Sequence, residues 1–112
     1  MIKHRLKFYK NAKGQIPVLD YLETLSARQI AKIRNALRIL MEFGSNEPFL
    51  NIKKIKGDRH KGLYELKINQ SRIFYFINKF GEYILIHGFT KKTTKTPVNE
   101  LEVAQNRMKE FK

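Results

Sequence analysis

The chain has no cysteine, and only ten of its 112 residues are acidic. Without cysteine there is no disulfide scaffold, no thiolate zinc site and no cysteine nucleophile. No apolar run approaches the roughly 20 residues of a membrane-spanning helix. The start, Met1-Ile2-Lys3-His4-Arg5, alternates apolar and polar residues, unlike a signal peptide. The expected setting is therefore a reducing cytoplasm, away from membranes. A glycine-rich phosphate loop, a metal-spaced His/Asp/Glu cluster and a nucleophile elbow are also missing. Any chemistry is thus expected to run without a metal or a cofactor. Glu65 has no acidic neighbour on its strand pair, which removes the paired carboxylates of glycoside hydrolysis.

What the chain does have is positive charge. Lys and Arg number 23, for a formal net charge of +13. The excess sits in two pieces. Residues 1–14 carry five bases and no acid, and residues 50–97 carry eleven bases and three acids. The intervening 15–49 and the final 98–112 are each balanced. A polyanion is the first partner such a chain suggests, and an anionic protein the second. The apolar share of 42% supports one compact domain spanning 1–112.

Periodicity places the elements. Ile2, His4, Leu6 and Phe8 alternate with Lys3, Arg5 and Lys7, as in a half-buried strand. Pro17 opens a short helix to about Leu25. Ser26 and Gln29 form a capping box for a second helix, whose stripe runs Ile30, Ile33, Leu37, Leu40, Met41 and which Gly44 ends. Residues 45–62 read as irregular, with 51–56 extended. Three strands follow over Leu63–Ile68, Arg72–Asn78 and Tyr83–Thr90. Thr96-Pro97 opens a last helix. The order is β-α-α-β-β-β-α, and the class is α+β, an antiparallel sheet packed by helices. The balanced pieces are the helical ones, so the partner is expected to meet the sheet rather than a recognition helix.

A turn at Asn69-Gln70 sets the register. Leu66 then faces Ile73, Tyr64 faces Tyr75 and Lys67 faces Arg72. One face is Tyr64, Leu66, Ile68, Ile73, Tyr75 and Ile77, a core surface. The other carries Leu63, Glu65, Lys67, Arg72, Phe74 and Phe76. Like charges opposite one another in a sheet destabilise it by some tenths of a kcal/mol. A held phosphate would explain their placement, and solvation or neutralisation by Glu65 is the plainer alternative. A turn at Phe80-Gly81 extends the surface, pairing Lys79 with Glu82, Phe74 with His87 and Arg72 with Phe89. A bulged turn would instead send His87 to the core.

Other residues surround this surface. Lys91 and Lys95, in the threonine-rich run that enters the last helix, are candidate phosphate contacts. Lys53, Lys54 and Lys56, within a basic stretch reaching Arg59 and Lys61, are candidates for the opposite wall of a groove. Phe74, Phe76 and Phe89 either lie beneath the last helix or stack on bases, and Phe89 is retained as an RNA-binding candidate. Cations crowded together are one way to make a lysine a proton carrier, so Lys67 is a candidate acid or base, with Glu65 and His87 as rivals.

Three stretches carry a resemblance: Gly62-Leu63-Tyr64-Glu65-Leu66-Lys67, Arg72-Ile73-Phe74-Tyr75-Phe76, and His87 through Pro97 with its Gly-Phe-x-Lys-Lys-x-x-x-Lys-x-Pro string. They resemble the RelE/HigB toxin family, in particular its phage-derived HigB-like branch. The resemblance implies a RelE-like fold and the toxin of a type II toxin–antitoxin pair. It implies a ribosome-dependent endoribonuclease that cleaves mRNA in the ribosomal A site and is silenced by a cognate helix-turn-helix antitoxin. By position, Lys67, Arg72 and Lys92 match the family's phosphate-contacting bases. Glu65 matches the Glu-Leu-Lys strand of the branch. A tyrosine that some members place near the last helix has no counterpart here, where Pro97-Val98 stand. A non-catalytic RNA- or DNA-binding module on the same scaffold is the alternative.

Overall fold

The computed structural model describes residues 4–45, 48–57 and 61–111. Five strands and three helices follow the order β1 (Leu6–Phe8), α1 (Pro17–Leu22), α2 (Ala27–Phe43), β2 (Asn51–Lys54), β3 (Leu63–Ile68), β4 (Ser71–Ile77), β5 (Tyr83–Thr90) and α3 (Val98–Phe111). Local chemistry sets several boundaries. Pro17 occupies the first turn of α1. Ser26 and Gln29 close a reciprocal capping box on α2. Gly44 ends α2 at φ 79°, a conformation that disfavours any side chain. Ile2 and Lys3 of the first expected strand, and Arg59 of the basic stretch, lie outside the described residues.

The sheet order is β1-β5-β4-β3-β2. The expectation of a wholly antiparallel sheet needs correcting, because β1 pairs with β5 in parallel. Parallel neighbours need a long crossover, and everything between α1 and β4 supplies it. The residues from β2 to β5 do form an antiparallel meander.

Both faces of the sheet are covered. α1 and α2 pack on Leu66, Ile73, Tyr75, Tyr83 and Leu85. α3 packs its Ala104 and Met108 on Leu63, Phe74, Phe76, Ile84, Ile86 and Phe89. The central strands β4 and β5 are therefore buried on both sides, which is why they read as near-continuous apolar runs.

Register decides which side chains face α3. The Asn69-Gln70 turn is as expected, with Asn69 at φ 54°, a region asparagine tolerates well. The second turn is not. Asn78 stands opposite Glu82 through a 2.9 Å backbone bond, leaving a three-residue loop with Gly81 at φ 79°. The Asn78 side chain fixes this loop by accepting from the backbone of Phe80 and Glu82. Alone, that shift would turn His87 over. A bulge at Ile86, between the pairs Tyr75–Leu85 and Phe74–His87, restores the register. Ile86 and His87 consequently both face α3.

Candidate functional site

Strand pairing brings the predicted cations together. Lys67 stands directly opposite Arg72, and Glu65 lies between Phe74 on β4 and Lys53 on β2. All of these face the side of the sheet covered by α3. The carboxylate is fully buried. Burying an ionised group is costly unless it is paired, and the pairing here comes from β4: Arg72 Nε lies 3.3 Å from Glu65 Oε2. The approach is off the N–H direction, so the contact is an ion pair rather than a directed hydrogen bond. Orientation comes instead from Arg72 Nη1, which donates to the carbonyls of Asn69 at 2.5 Å and Ser71 at 3.0 Å. Nη1 is thereby committed to the backbone and fixes the guanidinium in place.

Above Glu65 opens a cleft of about 340 Å³. Lys53 and Lys56 line it from β2 and its exit, Lys67 from β3, and Lys91 and Lys95 from the segment leading to α3. The Thr96 hydroxyl points to Glu65 at 3.4 Å. Five lysines therefore line one cleft together with Glu65, whose carboxylate is paired with Arg72. A cleft so lined concentrates anions.

Other predicted residues stand elsewhere. His87 lies beneath α3 with side-chain exposure of 13%. Its Nδ1 is 2.9 Å from Arg107 Nη1, and its Nε2 is 3.0 Å from Glu100 Oε1. A guanidinium can only donate, so Nδ1 accepts and the ring proton sits on Nε2, donating to Glu100. Burial pushes the His87 pKa below its ordinary value, with Arg107 adding to the shift and Glu100 opposing it. This is a neutral histidine engaged at both nitrogens.

Phe89, expected at an RNA surface, is 6% exposed and packed between Phe74 and His87. The register that puts it beside Arg72 also puts it under α3, so no ring face is open to a base. Lys54 needs a similar correction. Neighbouring strand residues point to opposite faces, and Lys54 lies on the α2 side beside Ser45, Tyr64 and Tyr83. Lys92 is exposed and does not line the cleft. Sequence reasoning missed Glu100 and Arg107, the partners of His87. Their spacing of seven, two helical turns, was a usable signal.

Among the described residues, no group of three His, Cys, Asp or Glu is placed to hold a metal ion. No helix among the described residues is long and apolar enough to cross a membrane.

Comparison with known proteins gives three results. The family model described as Phage derived protein Gp49-like matches residues 20–109. No curated protein matches the sequence. Solved structures do match in fold. The RelE–RelB complex of Pyrococcus horikoshii OT3 aligns with TM-score 0.61 at 17% identity, over 81% of this chain and 98% of that one. The RelB–RelE antitoxin–toxin complex of Methanococcus jannaschii aligns at 0.55 and 19% identity, over 64% and 81%. The YoeB–YefM complex of Staphylococcus aureus aligns at 0.55 and 14% identity, over 82% and 99%. The fold is RelE-like.

Proposed function

The chain belongs to the Phage derived protein Gp49-like family, and on that premise we propose that it is the toxin of a type II toxin–antitoxin pair, a HigB-like endoribonuclease. Its substrate is mRNA, read in the ribosomal A site, and its cognate antitoxin is a helix-turn-helix protein with an acidic segment. The observation that carries this reading is the cleft lined by Lys53, Lys56, Lys67, Lys91 and Lys95 together with Glu65, which is paired with Arg72. The structural relatives, which are toxin–antitoxin complexes, support it.

RNA carries its own nucleophile. The 2′-oxygen attacks the scissile phosphorus, the bond to the 5′-oxygen breaks, and the products are a 2′,3′-cyclic phosphate and a 5′-hydroxyl. One proton leaves the 2′-hydroxyl and one reaches the departing oxygen. Lysines around the phosphate stabilise the charge that grows on the phosphorane. Lys67, beside Arg72 and open to the cleft, is the proton carrier. Arg72 contributes its fixed charge. Glu65, fully buried, holds Arg72 and does not meet substrate. His87 stands outside the reaction, and Lys92 serves at most as an outer phosphate contact. The reaction needs no metal ion.

The test is induced expression with mapping of transcript ends, for the wild type and for Lys67→Ala. Lys67 is half-buried on a strand end, and its truncation leaves no buried charge unpaired. Cleavage and growth arrest should disappear with Lys67→Ala while the protein stays folded. A folded Lys67→Ala protein that cuts at the wild-type rate would falsify this site. The locked Arg72 and the engaged His87 favour one second reading, a non-catalytic RNA binder. An RNA with a single 2′-deoxy position at the cut separates the two: the nuclease spares it, and a binder never cut its ribose counterpart.

A further inference from the structure

Thr96 stands where the lysine cleft meets the buried ion pair. It lines the cleft together with the five lysines, and its hydroxyl is directed at both oxygens of Glu65, at 3.5 and 3.4 Å. Those distances are long. A hydroxyl committed to a carboxylate closes to about 2.5–2.7 Å, so Thr96 holds its proton on Glu65 only weakly. Glu65 loses little by releasing it, because its charge is balanced by Arg72 Nε at 3.3 Å. The hydroxyl of Thr93 is spent differently, on the Lys95 carbonyl at 2.6 Å. Pro97 follows Thr96, and its carbonyl accepts from the backbone of Glu100 and Leu101. Thr96 is therefore presented from the hydrogen-bonded entry of α3.

We propose that Thr96 is a further catalytic contact: its hydroxyl turns from Glu65 to a non-bridging oxygen of the scissile phosphate and donates to it while the phosphorane forms. The inference rests on the RNA-cleaving reading above and adds an uncharged donor to it. Lysines attract a polyanion from a distance. A hydroxyl bond is short-ranged and directional, so it selects one of the two non-bridging oxygens. The exchange replaces a long bond to a neutralised carboxylate with a short, charge-assisted one. That bond strengthens as negative charge gathers on the phosphorane, which is where a donor accelerates the reaction. Thr96 keeps its proton and forms no covalent bond, so the balance of the cleavage step is unchanged.

The experiment follows single-turnover cleavage of mRNA on ribosomes with an empty A site. Three substrates are compared: unmodified RNA and the two phosphorothioate diastereomers at the cut. Sulfur accepts hydrogen bonds weakly, so in the wild type the diastereomer with sulfur at the Thr96 position should be the slower. Thr96→Val keeps the shape and removes the donor. It should cut unmodified RNA roughly ten- to hundred-fold more slowly, the loss of one hydrogen bond to a charged group. The difference between the diastereomers should shrink with it, because the two changes remove the same contact. Thr96→Ser should keep both the rate and the difference. Thr96→Ala is the second donor-free variant, read in the same way if the valine protein fails to fold. A folded Thr96→Val protein that cuts at the wild-type rate overturns the contact. So does equal slowing of all three substrates with the diastereomer difference intact, which is what a role through Glu65 and Arg72 predicts. A folded wild type that cuts none of the three overturns the RNA-cleaving reading, and the contact with it.

Discussion

Removing Arg72 should cost stability before it tells anything about catalysis. Arg72→Ala leaves the fully buried carboxylate of Glu65 without its 3.3 Å counter-charge. Among the described residues, the Thr96 hydroxyl at 3.4 Å is what remains on it. Breaking a buried ion pair by deleting one partner destabilises by about 3–5 kcal/mol. Arg72 keeps side-chain exposure of 11%, so the lower end, about 3 kcal/mol, is expected. For a domain near this size, that lowers Tm by roughly 12 °C or more. The double variant Glu65→Leu/Arg72→Met removes both charges and fills the space with apolar atoms. Such replacements are often neutral or better, so the double variant should be more stable than Arg72→Ala by at least about 2 kcal/mol. Urea unfolding followed by circular dichroism measures both. If Arg72→Ala unfolds within about 1 kcal/mol of the wild type, Glu65 is not held by that guanidinium and the account of the site fails. Glu65→Gln should lose RNA cleavage more than stability, because it keeps the shape and frees the guanidinium to reorient.

Two further outcomes follow from groups away from the cleft. His87 is neutral when folded, with a pKa held below its ordinary value by burial. The unfolded chain takes up its proton first as the pH falls, so the stability that this group contributes is complete above about pH 6.5 and is lost below it. As the pH falls below about 6.5, the wild type should lose more stability than His87→Gln does, in a comparison of thermal midpoints, and parallel curves would refute the assignment. Gly88 meets Tyr21 so closely that an added Cβ would lie 2.6 Å from its ring and 3.2 Å from Ile73. Tyr21 is itself tied to Ser71 and Thr90 through its hydroxyl. Gly88→Ala should therefore destabilise by about 1–3 kcal/mol, checked by chemical denaturation; an unchanged midpoint would mean that α1 shifts freely.

The residues differ in how openly they declare their places. The Lys67–Arg72 pairing was legible because an asparagine turn and a period of two determine it within ten residues. The Ser26–Gln29 box and Gly44 were legible for the same reason. The three-residue loop after β4 was encoded by Asn78, whose side chain organises the turn, and was passed over in favour of a tighter turn at Phe80-Gly81. The compensating bulge at Ile86 had no sequence mark. Lys53 and Lys54 look alike in a lysine-rich stretch, and only the strand pairing separates them into cleft and opposite face.

Local sequence by itself determined seven of the eight elements and their order, with β2 (Asn51–Lys54) read only as an extended stretch, the hairpin that brings two cations face to face, and the overall charge that calls for a polyanion. These depend on neighbours a few residues apart. Tertiary structure alone decided that Glu65 is buried, that Arg72 spends one amino group on two carbonyls, that Phe89 and His87 belong to the core beneath α3, and that β1 returns in parallel to β5. Each of these depends on α3 or β1 reaching a strand far away in the chain. Burial is a property of what covers a side chain, and what covers these residues is contributed by segments that no local pattern connects to them.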